Sequence, residues 1–150
     1  MNRKIKNIIN ITAFLVCIGL INIAGQNIEI EIRGMNAFTF ILIVAVLLQI
    51  IFFIPSFLLK TEKYYDLVGS LTYIATVSLA YFSVENKTMI DSVIYFYVMI
   101  WASRLGIYLF TRVRNVGKDV RFEKAKKHFF WFLQYWMGQA LWVSLTACAA

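Results

Sequence analysis

The sequence predicts an all-α bundle of membrane-spanning helices, and three observations support this class. Hydrophobic residues make up 61% and aromatic residues 17% of the 150-residue chain, which is more apolar than a soluble domain. Five segments are apolar over about the 17 to 25 residues that a helix needs to cross a bilayer: Ile8–Ala24, Ala37–Leu59, Leu67–Val84, Met89–Phe110 and Phe129–Ala150. The run FTFILIVAVLL from Phe38 has no alternation of polar and apolar residues, which excludes barrel strands. We therefore predict one polytopic transmembrane domain, residues 1–150, with five helices.

The first span follows a basic N-terminal segment, so a cleaved signal peptide is the alternative interpretation. Its apolar run of 17 residues is longer than the usual core of a signal peptide. The sequence Asn22-Ile23-Ala24 at its end also makes a poor small-x-small cleavage site. We therefore predict that this helix is retained in the membrane.

Lysine and arginine are distributed unequally between the two sides of these spans. Twelve of the 15 lie in the N-terminal segment and in the second and fourth loops, whereas the opposite loops hold only Arg33 and Lys87. The fourth loop contains Arg112, Arg114, Lys118, Arg121, Lys124, Lys126 and Lys127. Because positively charged loops remain in the cytoplasm, we predict a cytoplasmic N-terminus and fourth loop, in a protein of the bacterial inner membrane. The net charge of +7 indicates this topology and attraction to anionic lipids, and no nucleic-acid motif accompanies it.

The residue inventory excludes several kinds of chemistry. Two cysteines, Cys17 and Cys148, and the single His128 are too few for a zinc, haem c or iron–sulfur site, so we predict no metal. The seven glycines form neither the GxGxxG nor the GxxxxGK[ST] pattern of nucleotide-binding loops. Any bound nucleotide therefore needs a site of another kind.

Polar and aromatic residues mark the predicted cytoplasmic ends of the last three spans. The third span has Glu62, Asp66, Gly69 and Tyr73 spaced for one helical face. The fourth span has a stripe of Tyr97, Trp101, Arg104, Tyr108 and Arg112, and the fifth has Trp131, Tyr135, Gly138 and Trp142. An arginine inside a membrane is costly unless it is paired or hydrated, so we expect Arg104 to pair with Asp66 at a cavity open to solutes.

Small and amide side chains within the spans indicate close helix packing. Small residues let membrane helices approach one another, and we expect this role for Gly69, Ser70, Ala102, Ser103, Gly106 and Gly138. Gln49 lies near the middle of the second span, where an interhelical hydrogen bond is expected. These residues are predicted to build the bundle and not the site.

Three sequence blocks resemble a known family in their order and content. They are KTEKYYDLVGSLTY from Lys60, WASRLGIYLFTRVRNVGKDVRF from Trp101 and FWFLQYWMGQALWV from Phe130. They resemble the steroid 5α-reductase-like membrane family, a domain family of unknown function numbered 1295. The resemblance covers most of residues 60–143 and corresponds to the N-terminal portion of a larger membrane reductase. The family's later asparagine-tyrosine-glycine-glutamate type motif does not occur in this sequence. The resemblance therefore implies a truncated reading frame, a split-gene product with a C-terminal partner half, or a decayed copy.

The resemblance implies a reductase that uses cytoplasmic NADPH to reduce a carbon–carbon double bond conjugated to a carbonyl in a lipid or steroid-like substrate. Such chemistry needs a hydride donor and an acid or electrophile at the carbonyl oxygen. By resemblance, Asp66 corresponds to a carboxylate that cooperates with a tyrosine, Arg104 to the arginine of the next helix, and Gly117 with Lys118 to a glycine–basic pair. The candidate catalytic residues are Asp66, Tyr73 and Tyr108. The candidate cofactor-binding residues are Arg104, Arg112, Lys118, Asp119 and Arg121, since a basic loop suits the cofactor's phosphates.

Trp101 departs from the steroid branch of the family, which has its catalytic tyrosine at this position. An indole has no acidic proton to donate, so Tyr73, Tyr97 or Tyr108 is needed for that role, and strict specificity for steroids is not expected. The alternative is a small non-enzymatic membrane protein that binds lipid or a partner through its basic loop. Dependence on NADPH distinguishes the two functions.

Overall fold

The computed structural model describes residues 34–117 and 119–147, together with residues 8, 11, 12, 15, 16, 19, 23, 31 and 32. Most of the predicted first span, and also Lys118, Cys17 and Cys148, therefore lie outside the described residues. A short strand pair, β1 (Glu31–Ile32) and β2 (Met35–Asn36), is followed by four helices. The helices are α1 (Ala37–Leu58), α2 (Tyr65–Ser83), α3 (Met89–Val116) and α4 (Phe129–Ala147). The predicted all-α class is confirmed.

Two of these helices, α1 and α3, are long and apolar enough to cross a membrane. Only 28% of the apolar window in α1 and 11% of that in α3 is buried, whereas a core helix of a soluble protein is mostly buried. Among the described helices, α2 and α4 fall short of the same criterion, because Asp66 with several serine, threonine and tyrosine residues in α2, and Gln134 and Gln139 in α4, lower their hydropathy. The described residues thus fit a membrane protein with two apolar spans, and the other three spans stay predictions.

The ends of α3 are set by its local sequence. At its start Thr88 and Asp91 form a capping box, in which each side chain accepts a hydrogen bond from the backbone N–H of the other residue. At its end Gly117 adopts the left-handed conformation, with a φ of 82°, and terminates the helix. The predicted end at Phe110 is therefore wrong by six residues, because hydropathy falls before the helix stops. Arg112 consequently belongs to α3.

The helix α2 lies at the centre of the bundle and contacts the other three helices. Against α3, Gly106 packs on Ser70, whose hydroxyl donates a hydrogen bond to the carbonyl oxygen of Ala102. Against α1, the side-chain amide of Gln49 donates to the Thr72 hydroxyl at 3.1 Å, which confirms the predicted interhelical hydrogen bond. Small residues and polar side chains therefore bring these three helices into close contact.

The expected packing roles of small residues are confirmed at some positions and wrong at others. Gly69 lies directly against the side chain of Gln139 in α4. Gly138 has no atom of the described residues within 4 Å of the point where a Cβ would lie, and Ser103 is exposed, so neither packs as predicted. The helix α4 is buried instead through Phe132, Trp136, Ala140, Val143 and Ser144. The predicted aromatic stripe of α4, with Trp131 and Trp142, lies mostly on its exposed side.

Replacing Gly106 by alanine is expected to weaken the contact between α2 and α3. A Cβ at this position would lie 2.5 Å from the Ser70 hydroxyl oxygen and 2.6 Å from the Ser70 Cβ, so the helices must separate. Overpacking of this kind costs about 1–3 kcal/mol of unfolding free energy. Equilibrium unfolding in mixed micelles, followed by circular dichroism, measures the loss. Gly138→Ala is the matched control, because space is open there; equal destabilisation by both variants would contradict the packing.

Candidate functional site

Charged side chains gather where α2 begins, α3 ends and α4 begins, which we call the loop end of the bundle. The charge cluster there consists of Asp66, Arg112, Asp119 and Arg121. Arg121 Nη2 lies 2.6 Å from Asp119 Oδ2 and 3.5 Å from Asp66 Oδ2. Arg112 Nη2 lies 3.6 Å from the same Asp66 oxygen. The cluster therefore joins α2 and α3 to the connecting loop, residues 117–128, which leads into α4.

Local structure places each member of the charge cluster. Asp66 lies in the first turn of α2, where a negative charge interacts favourably with the helix dipole. Arg112 reaches the loop end because α3 continues beyond Phe110. Asp119 precedes a 3₁₀ turn, Val120–Phe122, and caps it by accepting a hydrogen bond from the Arg121 backbone N–H at 3.0 Å. The local conformation and the ion pairs therefore favour the same arrangement.

The two arginines remain open to solvent, whereas their acidic partners are nearly covered. The side chains of Arg112 and Arg121 are 45% and 54% exposed, and those of Asp66 and Asp119 are each 11% exposed. A guanidinium group carries five N–H donors in a planar fork, so each arginine keeps donors on its outer side although it contacts both carboxylates. The cluster thus presents two cations to solvent and is chemically suited to an oxyanion.

The ion pair between Asp119 and Arg121 changes the acidity of both groups. Hydrogen bonds from the Arg121 side chain, strengthened by its charge, lower the pKa of Asp119 below its ordinary value of 3.8. The same hydrogen bonds raise the pKa of Arg121. Asp119 is therefore ionised and Arg121 protonated throughout the physiological pH range.

Replacing Asp119 by asparagine is expected to destabilise the protein at pH 7 by about 1 kcal/mol, the usual size of a partly exposed ion pair. Since the pKa of Asp119 is lower in the folded than in the unfolded chain, its stabilisation is complete above pH 3.8 and is lost as the pH falls through the folded-state pKa. The difference between wild type and variant should therefore close below that pH. Unfolding in mixed micelles at a series of pH values measures it; a constant difference down to pH 2 would contradict the assignment.

An aromatic side chain docks the connecting loop on the bundle. Phe122 is 1% exposed, and the centroid of its ring lies 4.7 Å from that of Tyr65 and 4.9 Å from that of Tyr135. The Tyr65 hydroxyl in turn donates a hydrogen bond to the Tyr135 carbonyl oxygen at 2.9 Å. Phe122 is not predictable as a buried residue from the sequence, because one phenylalanine in a basic loop has no periodic pattern that indicates burial. The loop is therefore a folded part of the site.

Arg104 does not pair with Asp66, so this prediction is wrong. Asp66 contacts Arg112 and Arg121 instead, and among the described residues Arg104 has no ion-pair partner. The physical reason is the length of α3, which places Arg112, two turns beyond Arg104, at the level of Asp66. Arg104 lines an open groove of about 720 Å³ with Met99, Ile100, Ser103, Ile107 and Tyr108. The structure thus brings Arg104 and Tyr108 together, apart from the charge cluster.

Tyr73 lies in a third environment, inside the bundle. Its side chain is 8% exposed and its ring meets that of Trp101 edge-on, with centroids 5.1 Å apart. Its hydroxyl oxygen lies 2.5 Å from that of Thr146. At 1.5 Å per residue, Tyr73 is about 10 Å along α2 from Asp66. Of the predicted site residues that the structure describes, Asp66, Arg112, Asp119 and Arg121 are joined by ion pairs, whereas Tyr73, Arg104 and Tyr108 lie outside this cluster.

Fold and site together define a helical protein of membrane type with a charged site at one end of its bundle. The family described as Protein of unknown function (DUF1295) matches residues 52–150. The match covers 99 of the 150 residues, including α2, α3, α4 and the connecting loop, and the chain belongs to this family. The family predicted from the three sequence blocks is therefore confirmed. No curated protein and no solved structure matches the chain.

Proposed function

We propose that the chain forms part of an NADPH-dependent membrane reductase and that its charge cluster binds phosphate groups of the cofactor. The observation that carries the proposal is the exposure of Arg112 and Arg121, at 45% and 54%, beside carboxylates that are 11% exposed. The family match over residues 52–150 is consistent with it, and the resemblance of the three sequence blocks to steroid 5α-reductase-like proteins supports it. The proposed substrate is a lipid or steroid-like molecule with a carbon–carbon double bond conjugated to a carbonyl, and the reaction is reduction of that bond.

The arginines of the charge cluster are proposed to bind and orient the cofactor. Arginine recognises a phosphate through parallel hydrogen bonds from its planar fork. Asp66 and Asp119 hold the inner donors of Arg112 and Arg121, which fixes the outer donors for a ligand. Lys118, outside the described residues, is proposed to add a further cation from the same loop. NADPH supplies the hydride when it is bound.

The open groove of α3 is proposed to hold the reacting groups of the substrate and of NADPH. Arg104 and Tyr108 both line it, so a phenolic proton donor lies beside a guanidinium group. Tyr108 is 64% exposed, whereas the hydroxyl of Tyr73 already contacts Thr146. We therefore favour Tyr108 over Tyr73 as the acid, with Arg104 as a cofactor-binding cation. Asp66 stays a candidate for catalysis through its contacts with both arginines.

The membrane arrangement is part of the same proposal. We propose five spans in all: α1, α3, the first predicted span, α2 and α4. The last two can span the membrane although they are more polar, because helices that pack on a spanning helix tolerate more polar residues than isolated helices do. The excess of Lys and Arg at the loop end supports a cytoplasmic position for that end and for the N-terminus. In this arrangement the charge cluster faces the compartment that contains NADPH.

Replacing Arg112 by glutamine is expected to reduce enone-dependent oxidation of NADPH at least about tenfold, since a hydrogen bond to a charged group contributes about 1.5–3 kcal/mol. The assay follows the loss of NADPH absorbance in membranes that contain the chain and an enone lipid. Arg114→Gln is the matched control, because it removes the same charge two residues later and Arg114 has no ion pair among the described residues. Equal losses of turnover in Arg112→Gln and Arg114→Gln would contradict the proposal.

A second candidate function is non-enzymatic binding of anionic lipid or an acidic partner. Lys124 and Lys127 are exposed, and neither side chain forms an ion pair within the described residues. Lys126 does not belong to this set, because its Nζ lies 2.6 Å from the buried carboxylate of Glu62. Anionic lipid retained by the purified chain, together with no response to NADPH, would favour this function over the reductase.

A further inference from the structure

We propose that Glu62 is a positioning residue, which holds both ends of the connecting loop and thereby places Arg121 in the charge cluster. The consequence of this positioning role for NADPH binding rests on the proposed function. Glu62 lies in the turn before α2 and is only 4% exposed. A carboxylate buried to this extent is costly unless it is paired and hydrogen-bonded. Both requirements are met by residues of the connecting loop.

The two oxygens of the Glu62 carboxylate bind opposite ends of the loop. Oε1 accepts a hydrogen bond from the backbone N–H of Asp119 at 3.2 Å, near the start of the loop. Oε2 accepts one from Lys126 Nζ at 2.6 Å, near its end. The ion pair with Lys126 is itself well covered, with side-chain exposures of 3% for Glu62 and 23% for Lys126. One side chain therefore ties the loop to the start of α2 at both ends.

The contact with Asp119 transmits the position of Glu62 to the charge cluster. Glu62 fixes the main chain of Asp119, and the Asp119 carboxylate then binds Arg121 through Nε at 3.0 Å and Nη2 at 2.6 Å. The neighbouring Phe122 is anchored separately among aromatic rings. Loss of the Glu62 contacts should therefore leave Asp119 and Arg121 without a fixed orientation. Phe122 should still hold the loop against the bundle.

Two readouts test this role independently. Glu62→Gln is expected to speed hydrogen–deuterium exchange in the connecting loop about tenfold and to weaken NADPH binding by a similar factor, since a charge-assisted contact is removed. Far-UV circular dichroism should stay unchanged. Glu85→Gln is the matched control, because Glu85 is an exposed glutamate at the opposite end of the bundle. It should alter neither readout.

A charge-swapped variant separates positioning from a general loss of stability. Glu62→Lys combined with Lys126→Glu restores an ion pair of reversed polarity, but a lysine ammonium cannot accept the hydrogen bond from the Asp119 backbone N–H. The swapped variant is therefore expected to recover slow exchange near residue 126 and not the affinity for NADPH. Wild-type exchange and affinity in Glu62→Gln, or wild-type affinity in the swapped variant, would overturn the inference. If the wild-type chain binds no NADPH, the proposed function fails, and exchange in the loop alone decides the role of Glu62.

Discussion

Replacing Phe122 by alanine is expected to lower the free energy of unfolding by about 3–5 kcal/mol, the usual cost of deleting a buried aromatic ring. Its ring lies within 6.0 Å, centroid to centroid, of the rings of Tyr65, Phe132 and Tyr135. These neighbours belong to α2 and α4, which are held by other contacts, so the alanine variant leaves a cavity. Equilibrium unfolding in mixed micelles measures the loss.

The matched control for Phe122 is Val120, which lies in the same 3₁₀ turn but is 74% exposed. Val120→Ala should change the unfolding free energy by less than about 0.5 kcal/mol, as surface substitutions generally do. Since Phe122 is adjacent to Arg121, Phe122→Ala should also weaken the proposed binding of NADPH at the charge cluster. Similar unfolding free energies for the two variants would mean that the loop is not docked as the structure shows.

Replacing Trp136 by alanine is expected to cost about 3 kcal/mol, because this side chain joins three helices. It is 0% exposed, and its ring packs against Phe53 of α1, Tyr65 of α2 and Phe132 of α4. Its indole N–H has no hydrogen-bond partner among the described residues. Trp136→Phe should therefore cost much less than Trp136→Ala, since it keeps the ring contacts and loses no hydrogen bond.

Trp142 provides the control within the same helix. It is 66% exposed, so Trp142→Ala should change the unfolding free energy only slightly. Unfolding followed by circular dichroism compares the variants on one scale, since tryptophan fluorescence would differ between them. A larger loss for Trp142 than for Trp136 would show that the other face of α4 packs in the bundle.

The helices were largely predictable, because apolar length is a direct physical requirement of the bilayer. The predicted second span ends at Leu59, and α1 ends at Leu58. The fourth span was predicted too short, because hydropathy marks the apolar part of a helix and not its hydrogen-bonded end. Gly117 determines that end, and its left-handed conformation is visible only in the structure.

The composition of the charge cluster was predictable in part. Asp66, Arg112, Asp119 and Arg121 were all candidates from charge and resemblance, but their pairing depends on where α3 stops. Six more residues of helix bring Arg112 to Asp66 and leave Arg104 in the open groove. Pairing between helices is a tertiary property, and spacing along one helix does not determine it.

Residues that organise the connecting loop were the least predictable. Phe122 and Lys126 belong to a segment whose charge suggested a solvated surface, yet one is buried and the other binds a buried carboxylate. Glu62 shares a helical spacing with Asp66 in the sequence, but in the structure it precedes α2 and faces the loop. These roles come from contacts between residues more than fifty positions apart.

The most direct test of the reductase proposal is a titration of the detergent-purified chain with NADPH, followed by nucleotide fluorescence. Saturable binding is predicted for the wild type, with at least about tenfold weaker binding for Arg121→Gln, because a charged hydrogen-bond donor is lost. Arg114→Gln, an equal loss of charge outside the cluster, should bind nearly as the wild type does. No saturable binding by the wild type, or equal weakening in both variants, would contradict a cofactor site at the charge cluster.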